Sequence, residues 1–166
     1  MSGRAPAAAA AAALCLLLSP ARRADAQQTQ GRARPRVVLR ADLIAARTTA
    51  AQGGAGLTFP LGNYVRVDAV GGVGVGWRDG GSRASVRGDL VGRFVLDPFR
   101  ESRWSPYGGA GVSALRMGSE DWRGYLLAVL GVEGPAARGL LPALELGLGG
   151  GARVGLVLRG AAPNRR

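Results

Sequence analysis

Histidine and lysine are absent from the 166 residues, and cysteine occurs once, at Cys15. Without His, the chain lacks the commonest general base and the commonest zinc ligand. Cys15 sits in an apolar N-terminal run, so the rest of the chain has neither a thiol nucleophile nor a disulfide. No metal, cofactor or catalytic residue is expected. Long hydrophobic runs are also missing: Ala7 to Leu18 falls short of the ~20 residues of a membrane-spanning helix. After residue 35 no stretch combines a helical period with caps, which argues against a helical bundle. The formal charge is +11, yet no basic run is interleaved with aromatics and no zinc-ligand spacing or helix-turn-helix pattern occurs, so nucleic acid is not an expected partner.

What is present is glycine, 28 residues of it, together with strict alternation. The N-terminus reads as a signal peptide over 1–26. Arg4 forms a short basic region, Ala7 to Leu18 the apolar region, and Ala24-Asp25-Ala26 an A-x-A cleavage site. Cleavage there leaves a charge of +9. Residues 27–35 form a polar lead-in, and 161–166 a basic tail. Between them, turn signals divide 36–160 into eight expected strands: 36–47, 54–61, 64–77, 83–97, 105–117, 123–134, 140–148 and 152–160.

Alternation sorts each strand into two faces. In "VRVDAVGGVGVGW", Val65 to Trp77, the odd positions are apolar, while Arg66, Asp68 and several glycines hold the even ones. Val37, Leu39 and Leu43 oppose Arg40 and Asp42. Leu90 and Phe94 oppose Arg87, Asp89 and Arg93. Leu126, Leu130 and Val132 oppose Tyr125 and Glu133. Leu144 and Leu146 oppose Glu145, and Val154, Leu156 and Leu158 oppose Arg153 and Arg159. A soluble barrel or sandwich turns the apolar face inward. A transmembrane barrel turns it to lipid and the charges to the lumen. The even strand count, the export signal and the mixing of charges with Gly and Val on the polar face favour the transmembrane barrel. All nine aromatics fall near strand ends, as interfacial girdles do. Trp77, Trp122 and Tyr125 are expected at one rim. Phe59, Tyr64, Phe94, Phe99, Trp104 and Tyr107 are expected at the other.

With this signal peptide, this strand count and stretches such as "LTFPLGNYVRVDAVGGVGVGW" and "WSPYGGAGVSALRM", residues 36–160 resemble the small eight-stranded outer-membrane β-barrel family, the OmpA/OmpX-like group. The resemblance implies an all-β, antiparallel up-and-down barrel in the outer membrane. Its implied partners are outer-membrane lipids and the barrel-assembly machinery, and its implied state is a monomer. Lipid A acyltransferases and deacylases among such barrels rely on His, which this chain lacks. "GGVGVG" and "GLGGG" open no helix and are not read as phosphate loops.

The expected role is structural or interactive, without catalysis, in the cell envelope. The alternative is a soluble periplasmic barrel that binds a small apolar ligand. Arg40, Asp42, Arg66, Asp68, Arg87, Asp89, Arg93, Glu133, Glu145 and Arg153 are expected to form a lumenal ion-pair network that fills the interior and leaves no continuous channel. A two-residue Gly80-Gly81 turn or a four-residue loop at "DGGS", 79–82, gives the same register for the third and fourth strands, in which Asp68 faces Arg93, Gly72 faces Asp89 and Gly74 faces Arg87.

Overall fold

The computed structural model describes residues 34–46, 48–78 and 81–161. The expected signal peptide, most of the expected lead-in and all but Ala161 of the expected tail lie outside them. Eight strands run β1 (Arg36–Ala45), β2 (Thr49–Pro60), β3 (Val65–Arg78), β4 (Gly81–Val95), β5 (Ser105–Met117), β6 (Arg123–Glu133), β7 (Leu140–Leu148) and β8 (Ala152–Gly160). Each pairs antiparallel with the next, and β1 pairs with β8 from Val38↔Arg159 to Ala45↔Ala152, which closes the barrel. Closure removes every sheet edge and so satisfies the strands' backbone groups internally. No helix among the described residues is long and apolar enough to cross a membrane, which does not bear on strands.

Alternation is what gives the barrel two unlike faces. Val38, Arg40, Asp42 and Ile44 of β1 are buried, while Val37, Leu39, Leu43 and Ala45 are exposed. Leu126 is 84 % exposed and Leu156 64 %, whereas Glu145 is 0 % and Arg153 2 % exposed. A water-soluble domain has the opposite polarity. The lumen also holds two apolar clusters, one around Val38, Val95, Tyr107 and Val157, the other of Val91, Leu127 and Val129.

Several boundaries shift by one or two residues, and two differences from the sequence expectation matter. Strand β2 begins at Thr49 rather than 54, because Ala50 and Gln52 point inward and Ala51 outward, continuing an alternation that small residues conceal. On the β3–β4 hairpin, Arg78 pairs with Gly81, which leaves residues 79–80 between the strands. Gly81 thus belongs to β4, so a turn centred on Gly80-Gly81 is excluded, and residues 79–80 lie outside the described residues. The register is therefore two residues away from the expected one. Asp68 lies opposite Val91, Gly72 opposite Arg87 and Gly74 opposite Ser85. A shift of two preserves side-chain parity, so the same residues still face inward.

Close packing in the narrow lumen fixes some glycines. A Cβ on Gly155 would collide with the Asp42 carboxylate, and one on Gly131 with the Tyr107 ring. Gly88 points outward, and a Cβ there would meet nothing. Gly155→Ala is expected to lower folding stability by about 1–3 kcal/mol through overpacking, and Gly88→Ala to change it by less than ~0.5 kcal/mol. Urea unfolding midpoints of the two variants, measured in the same micelles, check this.

Candidate functional site: the lumenal charge network

The inward parity of six strands, β1, β3, β4, β6, β7 and β8, brings arginines and carboxylates into one column. Glu145 on β7 is its centre. It accepts hydrogen bonds from Arg40 Nη2 at 2.8 Å, Arg93 Nη2 at 2.6 Å, Arg153 Nη2 at 3.1 Å and the Tyr107 hydroxyl at 3.0 Å. Those donors come from β1, β4, β8 and β5, so one carboxylate ties together elements far apart in sequence. Buried charges are tolerable only when paired and hydrogen-bonded, as here.

Toward the mouth formed by the β1–β2 and β3–β4 hairpins, which we term the hairpin mouth, Arg40 holds Asp42 in a fork of 2.7 and 3.0 Å. Asp89 accepts from Arg87 Nε at 2.7 Å and from Arg153 Nη1 at 2.8 Å. Arg87 Nε also donates to the Ser113 hydroxyl, and Gln52 to that of Ser85. Toward the opposite, terminal mouth, where β1 begins and β8 ends, Asp68 accepts from Thr58 Oγ1 at 2.7 Å and pairs with Arg93. The Asp68–Arg93 contact exists although the two are not directly opposed, because long side chains reach the diagonal neighbour. Glu133 accepts from Arg66 Nη1 at 2.7 Å and Arg159 Nη1 at 3.0 Å, and Arg100 Nη2 lies at 3.5 Å.

Tyr107 corrects the aromatic assignment. It was expected at a rim, but it is 2 % exposed and inside the lumen. Its ring lies 5.4 Å from the Arg93 guanidinium and 5.1 Å from that of Arg159, a cation–π arrangement on top of the Glu145 hydrogen bond. Its parity on β5, shared with Ser105 and Ser113, carried that information. Tyr125 also has inward parity and lines the hairpin mouth beside Ile44, Leu115 and Met117. The other seven aromatics are exposed. At the terminal rim Tyr64 stacks on Phe94 at 5.6 Å and meets Phe99 edge-on at 6.1 Å.

Arg159 and Arg100 join the network although the sequence expectation did not include them in it. Arg159 lies on the charged parity of β8. Arg100 comes from a loop that no periodicity describes.

Between the two mouths the lumen is almost filled. A cavity of about 10 Å³ borders Arg40, Asp42, Gln52, Arg87 and Asp89, roughly the space of one water. The hairpin mouth opens into a vestibule of about 360 Å³, and the terminal mouth into one of about 310 Å³. Among the described residues no group of three His, Cys, Asp or Glu could hold a metal ion.

An eight-stranded closed barrel with a charged, filled lumen invites comparison with known structures. The chain superposes on the outer membrane protein OprG from Pseudomonas aeruginosa with a TM-score of 0.52, at 14 % identity, over 80 % of this chain and 91 % of that one. This chain has the fold of the small eight-stranded outer-membrane barrels. A designed transmembrane β-barrel aligns at a TM-score of 0.44 and 15 % identity, over 78 % of this chain and 98 % of that one. No protein-family model and no curated protein matches the sequence.

The network makes a direct prediction about Asp68 and Arg93. In a double-mutant cycle with Asp68→Ala, Arg93→Ala and both together, unfolding free energies are expected to show a coupling of about 0.5–3 kcal/mol. Strictly additive losses would mean that the two side chains do not interact.

Proposed function

We propose that this chain is a non-catalytic outer-membrane β-barrel with a structural or interaction role in the cell envelope. The observation that carries the reading is the inverted polarity: leucines cover the outside and ion pairs fill the inside. Such a wall is stable where its surroundings are hydrocarbon, and the strands, at 9 to 15 residues, are long enough to cross it when tilted. Exposed aromatics at both rims, Trp77 and Trp122 at one and Phe99 and Trp104 at the other, suit the two interfaces. On this reading the wall contacts membrane lipids, the barrel works as a monomer and its insertion depends on the barrel-assembly machinery.

Absence of catalysis is supported by the lumen itself. Its five carboxylates, Asp42, Asp68, Asp89, Glu133 and Glu145, each accept from or pair with an arginine, which leaves no poised base. A soluble barrel that binds an apolar ligand is the weaker reading, because the lumen offers such a ligand no apolar cavity among the described residues. The large apolar hollow, of about 790 Å³ beside Gly71, Gly88, Gly124 and Leu126, is lined mainly by outward residues.

Fractionation tests the reading. The protein is expected with the outer membrane, extractable only by detergent, and to migrate faster on gels unboiled than boiled. Detergent-free soluble monomer from the periplasm would overturn it. Leu156 sits at the middle of β8 on the outer face. Refolded into phospholipid vesicles, Leu156→Arg is expected to lose about 2–4 kcal/mol, the cost of a cation near a bilayer midplane.

A further inference from the structure

The two mouths differ in charge. At the hairpin mouth, Arg78 and Arg123 share the vestibule with Glu120 and Asp121. At the terminal mouth, Arg36, Arg66 and Arg100 line a vestibule of about 310 Å³ whose walls, among the described residues, carry no carboxylate. Its floor holds one, Glu133, which already accepts from Arg66 and from Arg159. Arg36 lines the same mouth as Arg66, and among the described residues its side chain makes no hydrogen bond or ion pair. Three guanidiniums, of Arg66, Arg100 and Arg159, thus pair with Glu133, Arg159 reaching Asp68 and Glu145 as well, and Arg36 adds a fourth positive charge at the mouth.

Arg100 is held there at a cost. Its φ is 59°, a left-handed conformation that non-glycine residues avoid. The surrounding loop enforces it. Asp97 accepts from the backbone N–H groups of Glu101 at 3.0 Å and Ser102 at 2.9 Å, and from the Ser102 hydroxyl at 2.9 Å. These bonds, that of the Ser102 N–H foremost, hold the Asp97 carboxyl below the usual carboxylate range. The bent loop aims Arg100 back across the mouth, where Nη2 donates to the Gly134 carbonyl at 3.2 Å and reaches Glu133 only at 3.5 Å. The Arg100 side chain remains 31 % exposed and that of Arg66 15 %, so both stay within reach of a ligand entering the vestibule.

We propose that the terminal vestibule is a phosphate-binding site, with Arg36, Arg66 and Arg100 as its ligands. Planar guanidinium forks match the oxygens of a phosphate, and its negative charge, about −1.5 to −2 when free and about −1 in a phosphodiester headgroup, offsets the local excess of cations. The phosphate can be free or part of a lipid headgroup. This inference goes beyond the proposed envelope role and does not depend on what surrounds the wall.

The test is a titration of inorganic phosphate into the refolded barrel in zwitterionic micelles, read by NMR of the arginine Nε–H groups. Saturable shifts are expected with phosphate and not with chloride at matched ionic strength. In the Arg36→Gln/Arg100→Gln double variant the apparent affinity is expected to fall at least about tenfold, the loss of charge-assisted hydrogen bonds. Arg123→Gln, at the opposite mouth, is expected to leave it unchanged. A second arm compares phosphatidylcholine nanodiscs with and without the anionic phosphatidylglycerol, both in buffer free of inorganic phosphate. The same shifts on adding phosphatidylglycerol would assign the site to a lipid headgroup, and their absence there to a soluble phosphate. No saturable shift with inorganic phosphate in the unaltered protein, or one undiminished in the double variant, would overturn the proposal.

Discussion

Eight strands leave room inside a closed barrel only for side chains, and in this chain many of those that enter are charged. That constraint governs the rest. A guanidinium away from water must be matched by a carboxylate, and each carboxylate must find enough donors to offset its own desolvation. Glu145 does so with four hydrogen bonds from four strands. Arginine suits the task because its donors lie in a rigid fork and can reach several acceptors at once. Arg153 bridges Asp89 and Glu145, and Arg40 bridges Asp42 and Glu145. The glycines complete the fit: Gly155 beside Asp42 and Gly131 beside Tyr107 leave space that any larger residue would take.

The outer wall obeys the complementary rule and does so unevenly. Strands β6 to β8 present leucines, such as Leu126, Leu130, Leu146, Leu156 and Leu158. Across β2 to β6, Ala55, Gly71, Gly88, Ala114 and Gly124 lie side by side in one register row. Open space surrounds the Cβ positions of Gly71, Gly88 and Gly124. Their smallness is therefore not demanded by packing within the chain, unlike that of Gly155 inside.

Arginine is used in two ways along the barrel. In the middle it is neutralised by near neighbours and acts as filling. At the terminal mouth it outnumbers its partners, and a strained loop adds one more. An excess of like charge in a confined vestibule is destabilising unless an anion offsets it. This is why the filled centre reads as structure and the mouth as a place for a ligand.

Parity was legible in the sequence. The period of two along each strand assigned Arg40, Asp42, Asp68, Asp89, Glu133, Glu145 and Arg153 to one face, and turn residues divided the chain into eight strands. Neither depends on distant contacts, because side-chain direction is a local property of an extended backbone. The register of β3 on β4 was not legible, since two hairpin loops differing by two residues satisfy the same alternation. Nor was the place of Tyr107. An aromatic near a strand end belongs to a rim by composition, and only closure of the barrel brought Arg93, Arg159 and Glu145 around it. The sequence by itself determined which side chains face inward. The tertiary structure decided which of them meet, because partners across a lumen are set by strand register and closure, and neither is written in any one strand.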